Sequence, residues 1–219
     1  MSKATKCPLC GASAYTWLTL PAPGEQATVG MISPVDPDAP DPTRERVIER
    51  CSECGAGILI GHGKVDLVAE LSAISSANGE TLKIEAPNRA SLQAGIGGEG
   101  WAALADWRTR LLLTPRALEL LAEKQGYELR SKRFQLWGRS QRWMWQTLLN
   151  GLTLHPNFLH EVRGGRLRIE NSRGAFSFIA DFVASVLAAP LVALVSFPFE
   201  LIAVLLGRGG LIVAEARRK

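Results

Sequence analysis

Residues 51–71 read CSECGAGILIGHGKVDLVAEL. The stretch opens on a cysteine pair, Cys51-Ser-Glu-Cys54-Gly55, and within a few residues turns helix-like at Asp66-Leu-Val-Ala-Glu-Leu71. A second copy of the pair, Cys7-Pro-Leu-Cys10-Gly11, lies upstream, and together the two hold all 4 cysteines of the chain. Two residues between ligands let both sulfurs of a tight turn face one ion. The glycine after each second cysteine gives the backbone access to positive φ. Two such knuckles predict a closed four-cysteine zinc site made of Cys7, Cys10, Cys51 and Cys54, with no open position for water, so the metal is structural. Disulfides or a redox C-x-x-C are the competing readings; paired knuckles that both end in glycine favour zinc. The N-terminal MSKATKCPLC has no apolar stretch of the signal-peptide kind, which points to a cytoplasmic chain with reduced thiols.

Working outward, the residues between the knuckles predict a zinc ribbon over 1–61. Ala14–Leu20 alternates as a strand, Arg46–Arg50 leads a second strand into the Cys51 turn, and Gly57–Ile60 leaves it as a third. Residues 34–42 carry too many prolines for helix or sheet and predict an exposed loop. Beyond the ribbon, 62–219 predicts an α/β domain. Helices are expected at 66–76 and 115–125, the latter with Thr114 as N-cap, Pro115 in the first turn and Gly126 just past the end. Strands are expected at 81–86, about 127–135 and 210–216. Gly95–Gly100 formally spells G-x-G-x-x-G, but no strand leads directly into it and no acidic ribose partner follows, so it predicts a flexible loop.

Charge is unevenly spread. The net +4 hides a surplus in 111–173, which holds 11 Lys/Arg against 5 Asp/Glu. Within it, residues 130–145 read RSKRFQLWGRSQRWMW. Cations among aromatics suit a membrane interface or a nucleic-acid strand, while buried aromatics with a solvated rim are the plainer alternative. Residues 176–206 are strongly apolar, and Phe182–Phe199 holds 18 residues with no charge. Pro190 and Pro198 predict two short helical pieces, not one rod. Basic flanks on both sides (Arg163, Arg173, Arg208, Arg217) fit a surface-lying or re-entrant hairpin; burial against protein and a true span remain open.

In this order, several pieces resemble class I S-adenosylmethionine-dependent methyltransferases that carry an N-terminal zinc ribbon. The ribbon is similar at Cys7–Gly11 and Ile48–Gly55. The late half of that family's catalytic domain is similar to Asp66–Leu71, Asn78-Gly79, Leu82–Asn88, Trp107, Leu113–Tyr127 and Leu205–Arg217. The resemblance implies a reduced, truncated methyltransferase-like α/β domain with an apolar C-terminal helical pair. It departs between ribbon and late helix, where the family carries its cofactor-binding strands. Only Gly61-His-Gly-Lys-Val65 stands there, and one βαβ unit needs about thirty residues. No residue therefore takes a catalytic or cofactor-binding role, and His62 reads as a surface residue. The expectation is a zinc-binding, methyltransferase-like protein, non-catalytic alone and without S-adenosylmethionine unless a partner supplies the core. It would work at the inner membrane face or on a protein partner or second copy, through 130–145, 176–206 and an open sheet edge. The alternatives are an active or split methyltransferase on a sugar, polyketide or lipid-linked substrate, and a nucleic-acid-binding ribbon. The acidic ribbon argues against the last of these.

Overall fold

The computed structural model of the chain describes residues 6–20, 31–32, 46–60, 65–78, 80–104, 110–165 and 167–219. The Pro-rich stretch 34–42, His62 and Trp107 lie outside the described residues. In chain order the strands are β1 (Ala14–Leu20), β2 (Met31–Ile32), β3 (Arg46–Cys51), β4 (Gly57–Leu59), β5 (Ser75–Asn78), β6 (Thr81–Pro87), β7 (Leu111–Leu112), β8 (Tyr127–Gln135), β9 (Arg168–Ile169) and β10 (Leu211–Arg218). The helices are α1 (Leu67–Ile74), α2 (Leu92–Gly97), α3 (Pro115–Lys124), α4 (Arg139–Asn150), α5 (Phe158–Arg163) and α6 (Ser172–Leu205).

Two four-stranded sheets organise the described residues. The first runs β1-β3-β4-β7 and its neighbours are antiparallel. Its first three strands are those the knuckle sequence predicts. The fourth, β7, comes from beyond residue 62, so this sheet is completed by the rest of the chain. The second sheet runs β5-β6-β10-β8. Strand β10 is antiparallel to both β6 and β8, which makes those two parallel to each other. Strand β5 forms a hairpin with β6 from residues whose pattern predicts the end of a helix. Two buried clusters each draw on both sheets. Cys7, Leu9, Cys51, Cys54 and Ile58 pack in the same buried cluster as Ile84, Leu118, Leu121 and Ala214.

Local chemistry explains the helix ends. Asp66 accepts from the Val68 and Ala69 N–H groups at 2.9 and 3.4 Å and starts α1. Thr114 Oγ1 accepts from the Ala117 N–H at 3.1 Å, Pro115 fills the first position of α3, and Gly126 follows at φ 78°. The Gly-rich segment is not a loop as expected. Ser91 accepts from the Ala94 N–H at 3.0 Å and opens the short α2. A Cβ on Gly97 would lie 2.6 Å from Thr147 Cγ2, so glycine here permits close packing against α4.

The largest correction concerns the C-terminus. The apolar segment is one helix of 34 residues and not a helical pair. Pro190 and Pro198 are both exposed, as are Val186 and Leu194, whose carbonyls lose their N–H partners to the proline rings. The buried positions Gly174, Asp181, Ser185, Val192, Ser196, Glu200 and Ala203 fall on one stripe that continues past both prolines. Packing along that stripe holds the helix together. It packs mainly on α4, with smaller contacts to α5, β2 and β9.

Candidate metal centre and exposed apolar helix

The two knuckles have the same backbone. Cys7 N–H donates to Ala12 O and Cys51 N–H to Ala56 O, both at 2.9 Å, and Gly11 and Gly55 take φ of 78° and 71°. No other residue adopts that conformation so freely. The turns are brought face to face by the β1–β3 ladder, which pairs Ala14 with Cys51. The ligand atoms of Cys7, Cys10, Cys51 and Cys54 lie within 4.8 Å of one another. Across the cluster, Cys7 Sγ is 3.6 Å from Cys54 Sγ and Cys10 Sγ is 3.4 Å from Cys51 Sγ. A disulfide would need about 2.0 Å. A tetrahedron with metal–sulfur bonds of about 2.3 Å has edges of about 3.8 Å, close to what the thiols present. Cys7, Cys51 and Cys54 are buried and Cys10 is exposed. The hydrogen bond from Cys54 holds the Cys7 thiol well below the usual range. A soft, four-sulfur donor set of this size is compatible with a tetrahedral zinc ion.

The second knuckle is bolted to the rest of the chain. Thr114 Oγ1 donates to Cys54 O at 2.6 Å while capping α3, and Arg89 Nε donates to Gly55 O at 2.6 Å. The Arg89 guanidinium lies 4.3 Å over the Trp17 ring, and burial, then Arg50, lowers it to about 10, leaving it charged at neutral pH. These contacts tie β1, the Cys51 knuckle, the end of β6 and α3 into one unit.

Helix α6 is inside-out for a soluble helix. Its buried stripe carries Asp181, Ser185, Ser196 and Glu200. Glu200 accepts from Gln93 Nε2 at 2.6 Å, from Ser140 Oγ at 2.5 Å and from the Gly210 N–H at 3.1 Å. Asp181 accepts from the Leu154 and His155 N–H groups at 2.6 and 2.9 Å. Gln141 Nε2 donates to Ser196 Oγ at 2.9 Å. Thus polar groups seal the helix to the body. From Phe176 to Leu205, every exposed residue is apolar. Phe176, Leu187, Leu194 and Leu205 are 73%, 75%, 73% and 76% exposed. Arg173 and Arg208 bracket this face. A contiguous apolar surface of this extent marks an interaction site.

The aromatic–basic run 130–145 is divided by the fold. Trp143 is buried, while Trp137 is exposed and stacks on Phe197 of α6 at 4.8 Å. Asp181 and Glu200 are the only charges in the apolar run 176–206, and the expected helical pair gives them no inward role. The signal was present: four polar residues, 181, 185, 196 and 200, recur on one helical face of an apolar run. Treating the prolines as breaks hid it. Comparison with family models, with curated proteins and with solved structures returns no match for this chain.

Proposed function

We propose that this chain is a zinc-stabilised, methyltransferase-like docking module that lies on the cytoplasmic membrane surface through the outer face of α6 and transfers no methyl group alone. The observation that carries it is the inversion of α6: carboxylates and hydroxyls inward, only apolar side chains outward, arginines at both ends. Protein–protein interfaces have polar rims. A face without one, over a helix about 51 Å long, is matched to lipid. Its posture follows from the buried stripe. The body packs against α6 from Gly174 to Ala203, about 44 Å of helix, more than the ~30 Å hydrocarbon core. A helix flanked by protein over that length fits in the plane of the interface and not across it.

The methyltransferase-like part of the reading is supported by the packing of the segments that carry the resemblance. Strands β6 and β10 pair along their length, and the capped α3 packs in the core beneath them. The four thiols support zinc as the resident metal.

Flotation tests the docking. The zinc-loaded chain should rise with phosphatidylcholine vesicles, and Leu187→Asp/Leu194→Asp should stay below at unchanged melting temperature. Wild-type protein that stays below as a monodisperse species, or as a dimer hiding α6, overturns the reading. Micromolar S-adenosylmethionine binding by titration calorimetry would remove the non-catalytic part.

A further inference from the structure

Between α4 and α5 lies a cleft of about 310 Å³, lined by Arg139, Arg142, Trp143, Trp145, His160 and Arg163 among others. No carboxylate lines it among the described residues. Its three guanidinium groups come from different places in the sequence, two on successive turns of α4 and one at the end of α5. The guanidinium of Arg139 lies 5.9 Å from the centre of the Trp143 ring. No described carboxylate pairs with Arg139, Arg142 or Arg163. The mutual repulsion of such groups is relieved by an anion.

The walls are fixed. Asn150 Nδ2 donates to Asn157 Oδ1 at 3.0 Å, Asn157 N–H donates back to Asn150 Oδ1 at 2.8 Å, and Gln146 Nε2 joins the same Oδ1 at 2.8 Å. This network locks the end of α4 to the start of α5. Asn157 holds φ 58° there, a left-handed conformation that asparagine tolerates better than most residues. Both walls also lean on α6. Phe158 of α5 packs edge-on to Phe178 at 5.2 Å, which stacks on the exposed Phe182. Trp137, just before α4, stacks on Phe197.

We propose that this cleft binds the phosphate of an anionic membrane-lipid headgroup, with Arg139, Arg142 and Arg163 as its donors, the buried Trp143 as its floor and the half-buried Trp145 indole at the lipid–water boundary. Guanidinium forks match phosphate oxygens in pairs, and indole rings favour the headgroup level of a bilayer. The proposal rests on the docking of α6, to which both walls of the cleft are joined through Phe178 and Phe197.

Vesicle partitioning of the full zinc-loaded chain separates the two ideas. Each arginine near an anionic surface contributes about fivefold, so three contribute about a hundredfold. Vesicles containing phosphatidic acid should bind about a hundredfold better than pure phosphatidylcholine. Arg139→Gln/Arg142→Gln/Arg163→Gln should erase that preference and keep binding to phosphatidylcholine. The control Arg130→Gln/Arg133→Gln/Arg218→Gln, which removes the same charge from exposed strands, should keep most of it. Equal binding to both vesicle types, or equal loss in both triple variants, overturns the headgroup site and leaves α6 docking intact. Binding to neither vesicle overturns both. A soluble arm separates the sources: inorganic phosphate that saturates the cleft at micromolar concentration, by chemical-shift changes of the Trp143 and Trp145 indoles, overturns the assignment to lipid.

Discussion

Thr114 serves two neighbours with one hydroxyl, donating to the Cys54 carbonyl and accepting from the Ala117 N–H. Thr114→Ala should cost about 1–2 kcal/mol in urea unfolding, the loss of a helix cap plus a buried hydrogen bond. Thr114→Ser should restore most of it. Glu200 concentrates more. Glu200→Leu strands the buried donors of Gln93, Ser140 and Gly210 and should cost about 3–5 kcal/mol. His155 links stability to pH. Burial lowers its folded value below the ordinary 6.5 despite Glu161 and Asp181 nearby. A depressed folded value means the unfolded state takes the proton first. Its contribution is therefore full above pH 6.5 and lost as pH falls through the folded value. The stability-versus-pH curve of His155→Gln should be flatter than that of wild type across that window; identical curves would show that His155 carries no linkage.

At the scale of elements, the knuckles, the capped α3 and the strands β1, β3 and β4 were legible because each rests on local rules. Cysteine spacing, a glycine at positive φ and Thr-Pro at a helix start need no knowledge of the rest of the chain. Strand β5 was not legible, since Ser75–Asn78 has no apolar alternation and pairs only because β6 turns back beside it. Nor was the continuity of α6. A proline's penalty is local, while the packing stripe that outweighs it involves Gln93, Ser140 and Leu154, all distant in sequence. The two faces of α6 should respond oppositely to substitution. Ser196→Leu adds bulk against Gln141 and should lower stability by about 1–3 kcal/mol. Leu194→Asp on the outer face should change stability in solution by no more than about 0.5 kcal/mol and weaken vesicle binding at least tenfold. Equal effects of the two on unfolding would contradict the inverted arrangement.

At the scale of the whole molecule, the four-cysteine cluster and both sheets share a core, so the chain should unfold as one. Stripping the metal with a chelator should abolish near-ultraviolet dichroism throughout and not only in the ribbon, because structural zinc contributes free energy comparable to the whole stability of a domain. Metal analysis should give one zinc per chain, and Cys51→Ser none. The second sheet is only four strands deep and leaves β8 largely exposed at its edge. Its core is shared with the cysteine cluster, and Leu211 and Val213 of β10 also lie in a buried cluster with Trp143 of α4. The outward face of the α4–α6 layer is the exposed apolar face of α6. Photo-leucine, incorporated throughout the zinc-loaded chain, reports directly what covers it. After vesicle binding and irradiation, lipid adducts should map to Leu187, Leu191 and Leu194 and be absent from the buried Leu118 and Leu121. Cross-links from those three α6 leucines to a second protein chain, or no lipid adduct on α6 at all, would contradict membrane docking through this helix.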